Sequence, residues 1–290
     1  MNRFSSTELI LNKDGSVYHL HLFANEVSDT IITVGDPERV ELISKHLSKI
    51  RLKKKNREFY TITGTYKEKE ISIISTGIGT DNIDIVFNEL NILSKIDTSL
   101  QKYVELPRKF NIIRLGTSGT VQEDINLGSM LLTEYAIGLE GLINFYEIPY
   151  SENEIGLNNE VKRNIQLSFP YLSPYTVGAS NNLLNVFKED MILGITATCQ
   201  GFYHPQGRFL WSDHNPSILT ALRNIDYKGR KVTNFEMETA GILGLARYFG
   251  HEACSISLIL ANRITNEFLN NTETKMEEMI EYSLEKILTI

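Results

Sequence analysis

The alternation of apolar, β-rich runs with amphipathic helical patterns constrains the fold of this chain more than any other feature of its sequence. Strand-like runs occupy 30–34, 110–113, 191–198 and 253–260, and segments with apolar residues near helical spacing lie between them. Such alternation is typical of a sheet packed between helices in one domain. The 290 residues are enough to bury the core of such a domain. We therefore predict a single α/β domain with a mixed sheet.

The remaining secondary structure follows from the same periodicities and from residues that start or stop a helix. Pro37 suits the first turn of a helix, whereas Gly250 ends one. The segment 151–170 is predicted to be a loop followed by a helix, and 97–109 is a polar connection. The further assignments are strands at 59–66 and 70–75 joined at 67–69, two strands within 110–140 broken at Gly128, and helices at 37–47, 83–96, 216–224, 242–249 and 276–288.

Charge and cysteine content exclude several classes of protein. A net charge of −7 argues against a nucleic-acid surface, which needs a basic patch. The basic cluster at 51–57 is the local exception, and we interpret it as a solvated strand end. Cys199 and Cys254 lie in apolar runs, so we expect reduced core residues rather than a disulfide framework. The sequence shows no signal-like opening segment and no apolar run of membrane-spanning length, which predicts a cytoplasmic protein.

The segment 202–208, Phe-Tyr-His-Pro-Gln-Gly-Arg, indicates chemistry most directly. Gln206 offers an acceptor and two donors, and Arg208 offers a planar fork of donors. Together they can read an edge that alternates carbonyl, N–H and carbonyl, as the edge of a uracil ring does. Phe202 could cover the face of the same base. For this segment taken alone, the alternative is a surface loop in which Arg208 pairs with a carboxylate.

Two further motifs place polar and charged groups where an anion or a sugar could bind. The first, Arg-Leu-Gly-Thr-Ser-Gly at 114–119, follows the apolar run 110–113. Glycines just past a strand let backbone N–H groups point at an anion, although an ordinary tight turn is the alternative. The second, Asn-Phe-Glu-Met-Glu-Thr-Ala at 234–240, leads into a helical pattern. Its two glutamates, Glu236 and Glu238, could equally be ordinary capping residues.

In their order and spacing these motifs resemble the nucleoside phosphorylase family, and within it the members that cleave uridine. The resemblance runs from about Val17 to the last helix, which leaves 1–16 as an N-terminal extension of the single domain 1–290. It implies a three-layer α/β/α fold around a mixed, partly barrel-like central sheet. The connection 97–109 is longer than this family usually carries there. The motifs that carry the resemblance are the three above together with 18–20, 35–40, 57–59, 75–79 and 261–263.

The resemblance also assigns roles to residues at the matching positions. The predicted phosphate ligands are Gly35, Arg39, Arg57, Arg114 and Thr117. The predicted ribose ligands are His19, Met237 and Glu238. The predicted base ligands are Phe202, Gln206 and Arg208, with Arg263 as a candidate lid residue. His19 and Arg57 are expected to come from a neighbouring subunit, whereas Asp36 is interpreted as structural because an acid suits an anion site poorly.

The resemblance implies no cofactor and no required metal, since inorganic phosphate is a co-substrate. Glu58 and Ser75 match positions that bind a monovalent cation such as K⁺ between subunits in some relatives. The expected partners are a nucleoside and phosphate, with neither nucleic acid nor membrane. We also expect a homo-oligomer, either a dimer or a hexamer of dimers, whose active sites are shared between subunits.

The predicted reaction is reversible phosphorolysis of uridine to uracil and ribose 1-phosphate, with deoxyuridine as a further candidate substrate and inorganic phosphate as the attacking nucleophile. The alternatives are a purine nucleoside phosphorylase or nucleosidase of the same fold, or a catalytically silent nucleoside-binding protein. Three arginines argue against hydrolysis, which needs no such cluster. Purine-cleaving relatives place an aspartate where this chain has Asn262, and an amide cannot protonate a purine. We therefore expect weak or absent cleavage of inosine.

Overall fold

The computed structural model describes residues 4–211 and 218–290 of the chain. Its strands are β1 (Thr30–Val34), β2 (Lys49–Asn56), β3 (Phe59–Tyr66), β4 (Lys69–Ser75), β5 (Ile96–Asp97), β6 (Lys102–Tyr103), β7 (Asn111–Thr120), β8 (Met130–Gly138), β9 (Tyr175–Gly178), β10 (Ile192–Thr198), β11 (Asp226–Tyr227), β12 (Arg230–Glu236), β13 (Glu252–Asn262) and β14 (Glu267–Phe268). Its helices are α1 (Pro37–Ser44), α2 (Thr80–Lys95), α3 (Glu152–Ile165), α4 (Asn181–Phe187), α5 (Ile218–Arg223), α6 (Thr239–Phe249) and α7 (Thr272–Ile287).

Among the described residues, twelve strands form one mixed sheet, and five of them close into a ring. The hydrogen-bonded order is β11-β12-β10-β8-β13-β7-β1-β4-β3-β2, and β12 also pairs with β7. That extra pairing closes the ring β7-β13-β8-β10-β12, while β1, β4, β3 and β2 continue from β7 as an open wing. The predicted mixed, partly barrel-like sheet is therefore confirmed.

Adjacent residues of a central strand bury into separate apolar clusters on the two faces of the sheet. Ile31 belongs to a cluster with α2 and α6, whereas Ile32 belongs to one with α1, α4 and α7. A third cluster joins α3 and α5 to β10 and β12. Both isoleucines are fully buried, and burial of each side chain contributes about 1.5–3 kcal/mol. This arrangement has the predicted α/β/α layers.

The helix ends next to the sheet follow the predicted signals closely. Asp36 caps α1 by accepting the N–H of Glu38 at 2.8 Å, and Pro37 follows as the first helical residue. The structural interpretation of Asp36 is thus confirmed. Helix α6 ends at Phe249, and Gly250 caps it with a φ of 82°, in the left-handed region that favours glycine. Helix α1 ends at Ser44, three residues before the predicted end.

The predicted order of loop and helix in 151–170 was wrong. Helix α3 begins directly after Ser151, because Ser151 and Glu154 form a capping box. The Ser151 N–H donates to Glu154 Oε2 at 2.7 Å, and the Glu154 N–H donates to Ser151 Oγ at 3.3 Å. The irregular segment therefore follows the helix instead of preceding it.

Several elements were not predicted. The basic cluster 51–57, interpreted as a solvated strand end, makes up most of the edge strand β2 and is largely exposed, and its lysines discourage pairing with another chain. Strands β9 and β12 and helix α4 were also missed. The polar connection 97–109 contains the short hairpin β5–β6. Of the predicted helix 216–224, α5 covers 218–223, and 216–217 lie outside the described residues.

Both cysteines are free and buried, as predicted, and burial raises the pKa of each thiol. No helix in residues 4–211 and 218–290 combines the length and the apolar character needed to cross a membrane.

Candidate active site

A cavity of about 740 Å³ opens beside the carboxyl ends of β1, β4 and β12. Ligands of α/β sheets commonly bind at this position, where the loops after the strands converge. Its lining residues are Gly35, Asp36, Pro37, Arg39, Glu58, Gly77, Ile78, Asn82, Arg114, Gly116, Thr117, Ser118, Gly119, Phe202, Gln206, Arg208, Phe235, Glu236, Met237, Glu238, Leu260, Ala261 and Phe268.

Strand β7 changes its neighbour beside this cavity. On one edge it pairs with β1 as far as Arg114 and with β12 only from Gly119 onward, while β13 pairs along the other edge. Among the described residues, no strand therefore pairs with residues 115–118 on the edge of β7 that faces the cavity. The motif 114–119 was predicted to be a turn that follows a strand, but it is part of β7 itself. The gap between β1 and β12 is what exposes it to the cavity.

Arg114 and Arg39 bring two guanidinium groups close to each other in this cavity. Arg114 is only 5% exposed, and its Nη2 lies 2.7 Å from Glu238 Oε2 and 2.9 Å from Glu236 Oε2. Burial lowers the pKa of Arg114, but the two carboxylates outweigh it and raise that pKa above its ordinary value. Burial and the charge of Arg114 both lower the pKa of Arg39. A bound anion would relieve this repulsion and supply charge-assisted hydrogen bonds.

Gly116 makes the position of Arg114 possible. A Cβ atom at Gly116 would lie 1.8 Å from Nη1 and 2.4 Å from Cζ of Arg114. The guanidinium therefore packs directly against the backbone two residues further along β7. Any side chain at this position would push it away from the two carboxylates.

Glu236 organises the junction between β12 and α6. Its carboxylate accepts the backbone N–H groups of Glu238 and Thr239, each at 2.9 Å, and the hydroxyl of Thr198 at 2.7 Å. The Glu236 carboxylate thus accepts hydrogen bonds from N–H groups at the start of α6 that have no partner within the helix, as a capping residue does. For Glu236 the capping interpretation is therefore confirmed, although the residue also touches Arg114.

Glu238 occupies the N-cap position of α6, but its side chain makes no capping hydrogen bond to the helix start. Its Oε1 accepts the N–H of Gly79 at 2.8 Å, and its Oε2 accepts from Arg114. Burial raises the pKa of Glu238 against the opposing effect of Arg114. The half-buried Met237 lines the cavity beside it. Gly79, at φ 91°, was missed as a site residue, and the Gly-x-Gly sequence after β4 is the signal that could have found it.

The segment 202–208 supplies the amide and aromatic groups of the cavity. A 3₁₀ turn at His204–Gln206, closed by Gly207 at φ 68°, places Gln206 where it is only 4% exposed. Arg208 Nη1 donates to Gln206 Oε1 at 2.8 Å and to Phe202 O at 2.6 Å. The Arg208 guanidinium also lies 3.7 Å from the ring centre of Phe202, and burial lowers the pKa of Arg208. The three predicted base ligands are therefore neighbours.

Arg263 braces this turn through its backbone carbonyls. Its guanidinium donates to Gln206 O at 3.0 Å and to Gly207 O at 3.2 Å, and burial lowers its pKa. The lid role stays a prediction, but in this structure the side chain supports the turn that carries Gln206 and Arg208.

His19 and Arg57 are the two predicted phosphate and ribose ligands that the single chain does not bring into the cavity. They lie close together elsewhere. Asn56 Nδ2 donates to His19 O at 2.7 Å, and the Arg57 guanidinium lies 5.5 Å from the ring centre of Tyr18. Arg57 is exposed and has a φ of 55°, a strained value for a residue other than glycine.

Asn262 does not face the cavity. Its Nδ2 donates to Gln122 O at 3.1 Å and to Ile125 O at 3.2 Å, and its Oδ1 accepts the N–H groups of Ile264 and Thr265. The side chain is 3% exposed and joins two turns. The structure thus supports the alternative that Asn262 closes a strand end.

The two candidate cation ligands differ in whether they line the cavity and in the hydrogen bonds that their side-chain oxygens already make. Glu58 lines the cavity, whereas the Ser75 hydroxyl donates to Glu58 O at 2.8 Å and accepts the N–H of Tyr60 at 2.7 Å. Within the described ranges, one group of side chains has the spacing of metal ligands, and none of its members lines the cavity. These residues are His46, Glu277 and Glu281.

The chain is similar to known proteins along most of its length. A uridine phosphorylase of Thermococcus kodakarensis is 30% identical over 271 residues, which cover 92% of this chain and 85% of that protein. A DeoD-type purine nucleoside phosphorylase of Buchnera aphidicola is 28% identical over 280 residues, covering 94% of this chain and 100% of that protein. A solved Trypanosoma brucei nucleoside phosphorylase, described as showing uridine phosphorylase activity, has a TM-score of 0.86 at 28% identity and covers 97% of this chain and 100% of that chain.

The family model described as the phosphorylase superfamily matches residues 29–289. That range contains Arg39, Arg114, Glu238 and the turn at 202–208 described above. The chain therefore belongs to the phosphorylase superfamily.

Proposed function

We propose that this protein catalyses reversible phosphorolysis of uridine to uracil and ribose 1-phosphate, and that deoxyuridine is a further substrate. The observation that carries the proposal is that one cavity combines Arg39 and Arg114 with Glu238 and with the Gln206–Arg208 pair. The first two can hold phosphate, the carboxylate can hold sugar hydroxyls, and the pair can read a pyrimidine. The Thermococcus and Trypanosoma proteins named above support the same substrate.

In this mechanism phosphate is bound by Arg39, Arg114, Thr117 and the backbone around Gly35. One phosphate oxygen attacks C1′ of the ribose while the C1′–N1 bond breaks, and the electron pair of that bond leaves with uracil. Glu238 accepts hydrogen bonds from the 2′ and 3′ hydroxyls, with Met237 against the sugar. Its charge also stabilises the positive character that develops at C1′ in the transition state. The released uracil anion then takes up a proton from solvent.

The Gln206–Arg208 pair stabilises the leaving group. Because Gln206 Oε1 already accepts from Arg208 Nη1, the Gln206 amide is oriented with its Nε2 donors directed elsewhere. These donors and the remaining Arg208 donors can reach the oxygens onto which the uracil anion spreads its charge. Donors aimed at developing charge accelerate the reaction because they bind the transition state more strongly than the ground state. Phe202 covers the face of the base.

We further propose that the site is completed by a second copy of the chain. His19 and Arg57 do not line the cavity of their own chain, yet they form one local cluster that could enter a neighbour's cavity. The protein would then be a cytoplasmic homo-oligomer, a dimer or a hexamer of dimers. We propose that it needs no cofactor, since the arginines supply the charge for phosphate, and that Glu58 and Ser75 are the candidate ligands for K⁺.

The test is uridine turnover measured with and without inorganic phosphate. We expect turnover only with phosphate, and formation of ribose 1-phosphate rather than free ribose. Equal rates in both conditions would make the protein a hydrolase. An Arg39→Lys variant serves as a control for the anion site, because it keeps the charge but loses the planar fork, and it should raise the KM for phosphate more than that for uridine.

Purine nucleoside phosphorolysis is the second candidate, because the DeoD-type relative matches 94% of this chain. Comparing kcat/KM for uridine and for inosine separates the two. Inosine equal to or better than uridine would favour the purine reaction.

A further inference from the structure

Glu89, a buried glutamate on α2, accepts hydrogen bonds from the segment that carries His19. Glu89 is 6% exposed, and its Oε1 accepts both the backbone N–H of His19 at 2.7 Å and the ring Nδ1 of His19 at 2.8 Å. Its Oε2 accepts the N–H of Leu20 at 2.7 Å. The segment carrying His19 is therefore anchored to α2 by three hydrogen bonds to one carboxylate.

These contacts determine which ring nitrogen of His19 is available. An ionised carboxylate only accepts hydrogen bonds, so the ring must donate through Nδ1. The other nitrogen, Nε2, makes no hydrogen bond to any described residue, and the side chain is 25% exposed. The ring of Tyr18 lies edge-on at 4.8 Å, and Asn56 holds the backbone carbonyl of His19 at 2.7 Å. His19 is thus held in one orientation with Nε2 free.

We propose that Glu89 is a positioning residue that presents Nε2 of His19 to the 5′-hydroxyl of a nucleoside bound in a second copy of this chain. The inference rests on the proposed function, because it needs a nucleoside site that His19 can reach. A hydroxyl is the appropriate ligand group, since it can both donate to and accept from an imidazole nitrogen. Glu89 itself touches no substrate and acts only through His19.

A Glu89→Gln variant tests this with uridine and 5′-deoxyuridine as paired substrates. The amide keeps the size of the side chain but replaces one acceptor oxygen by a donor, which would face an N–H group of His19 or Leu20. We expect kcat/KM for uridine to fall about tenfold, the equivalent of one hydrogen bond, with little change for 5′-deoxyuridine. His19→Ala should show the same selective loss, and the double variant should lose no more than His19→Ala alone.

The nitrogen resonances of the His19 ring give a readout that does not depend on activity. The unmodified protein should show the proton on Nδ1, and Glu89→Gln should change that pattern. If Glu89→Gln does not fold, Glu89→Asp keeps the charge with a shorter reach and should show the same selective effect.

An equal loss for both substrates would make Glu89 merely structural and overturn the inference while the proposed function stands. An unmodified protein that shows the Nδ1 proton but never cleaves uridine would overturn the proposed function instead. A neutral His19 ring that carries its proton on Nε2 and none on Nδ1 in the unmodified protein would overturn the anchoring by Glu89 directly.

Discussion

Substituting Asn262 by Asp should cost stability and should not create a purine-cleaving enzyme. The amide nitrogen of Asn262 donates to Gln122 O at 3.1 Å and to Ile125 O at 3.2 Å in a site that is 3% exposed. A carboxylate has no hydrogen to donate, so Ile125 O would lose its partner, Gln122 O would keep only the Thr120 hydroxyl at 3.2 Å, and both oxygens would face a negative charge. The two N–H groups that bind Oδ1 would keep theirs.

The magnitude follows from those lost contacts. One buried acceptor left without a partner costs about 1–3 kcal/mol, and the new negative charge beside two carbonyl oxygens puts the loss at the upper end of that range, roughly 3 kcal/mol. At the usual 2–4 °C per kcal/mol for a domain of this size class, the Tm should fall by roughly 6–12 °C. The deficit should shrink toward acid pH, because a protonated aspartate regains one donor.

The assay is thermal or urea unfolding of the unmodified protein and the variant at pH 7 and at pH 5, together with inosine turnover. Asn270→Asp is the matched control, since this exposed residue undergoes the same change in charge, and it should stay within about 0.5 kcal/mol. An Asn262→Asp protein as stable as the original, or one that gains inosine cleavage, would refute the reasoning from these contacts.

Three further predictions concern other parts of the molecule. Arg208→Ala should lower kcat for uridine by roughly 10²- to 10³-fold with little change in Tm, since one donor to developing charge is lost; near-normal turnover would show that this turn does not hold the base. Burial lowers the pKa of His251 to about 4, so the unfolded chain takes up a proton first as the pH falls below about 6.5. Stability should therefore drop by about 2–3 kcal/mol between pH 6.5 and 4, and a His251→Gln protein with the same pH dependence in urea unfolding would contradict this assignment. Inactive Arg57→Ala and Glu238→Ala chains, mixed under conditions of subunit exchange, should regain part of the uridine activity; a fully active monomer in sedimentation would exclude a shared site.

Elements that bury one continuous apolar face were predictable from the sequence. Helices α2, α6 and α7 and strands β1, β10 and β13 appear close to their predicted positions, because burial imposes the periodicity that was used to find them. Strand β12 was missed because its interior is polar. Asn234 accepts from the Thr196 hydroxyl at 2.9 Å and donates to Ser118 Oγ at 2.9 Å, so its side chain is satisfied across the ring rather than by solvent. Such pairing depends on distant strands and leaves no local pattern.

The candidate site was predictable as a set of residues but not as a set of contacts. The motifs placed Arg114, Glu238 and Gln206 in one cavity, as the structure does. The sequence could not show that Glu236 and Glu238 share one guanidinium, because this depends on how the end of β12 meets the middle of β7. Nor could it show that Asn262 joins two turns, since the carbonyl oxygens that accept from its amide nitrogen lie about 140 residues earlier in the chain.

The close packing of Gly116 against Arg114 has a consequence for how this protein tolerates mutation. Position 116 offers no functional group, yet an added methyl would occupy the space of the Arg114 guanidinium. The arginine is flexible enough to move aside, so a Gly116→Ala chain can keep its fold while losing the ion pairs that hold the arginine in place. In a mutational scan scored for both abundance and activity, position 116 should therefore behave like a charged active-site residue. A lineage that changes this glycine would displace the Arg114 guanidinium and lose the proposed phosphate site as surely as one that changes the arginine itself.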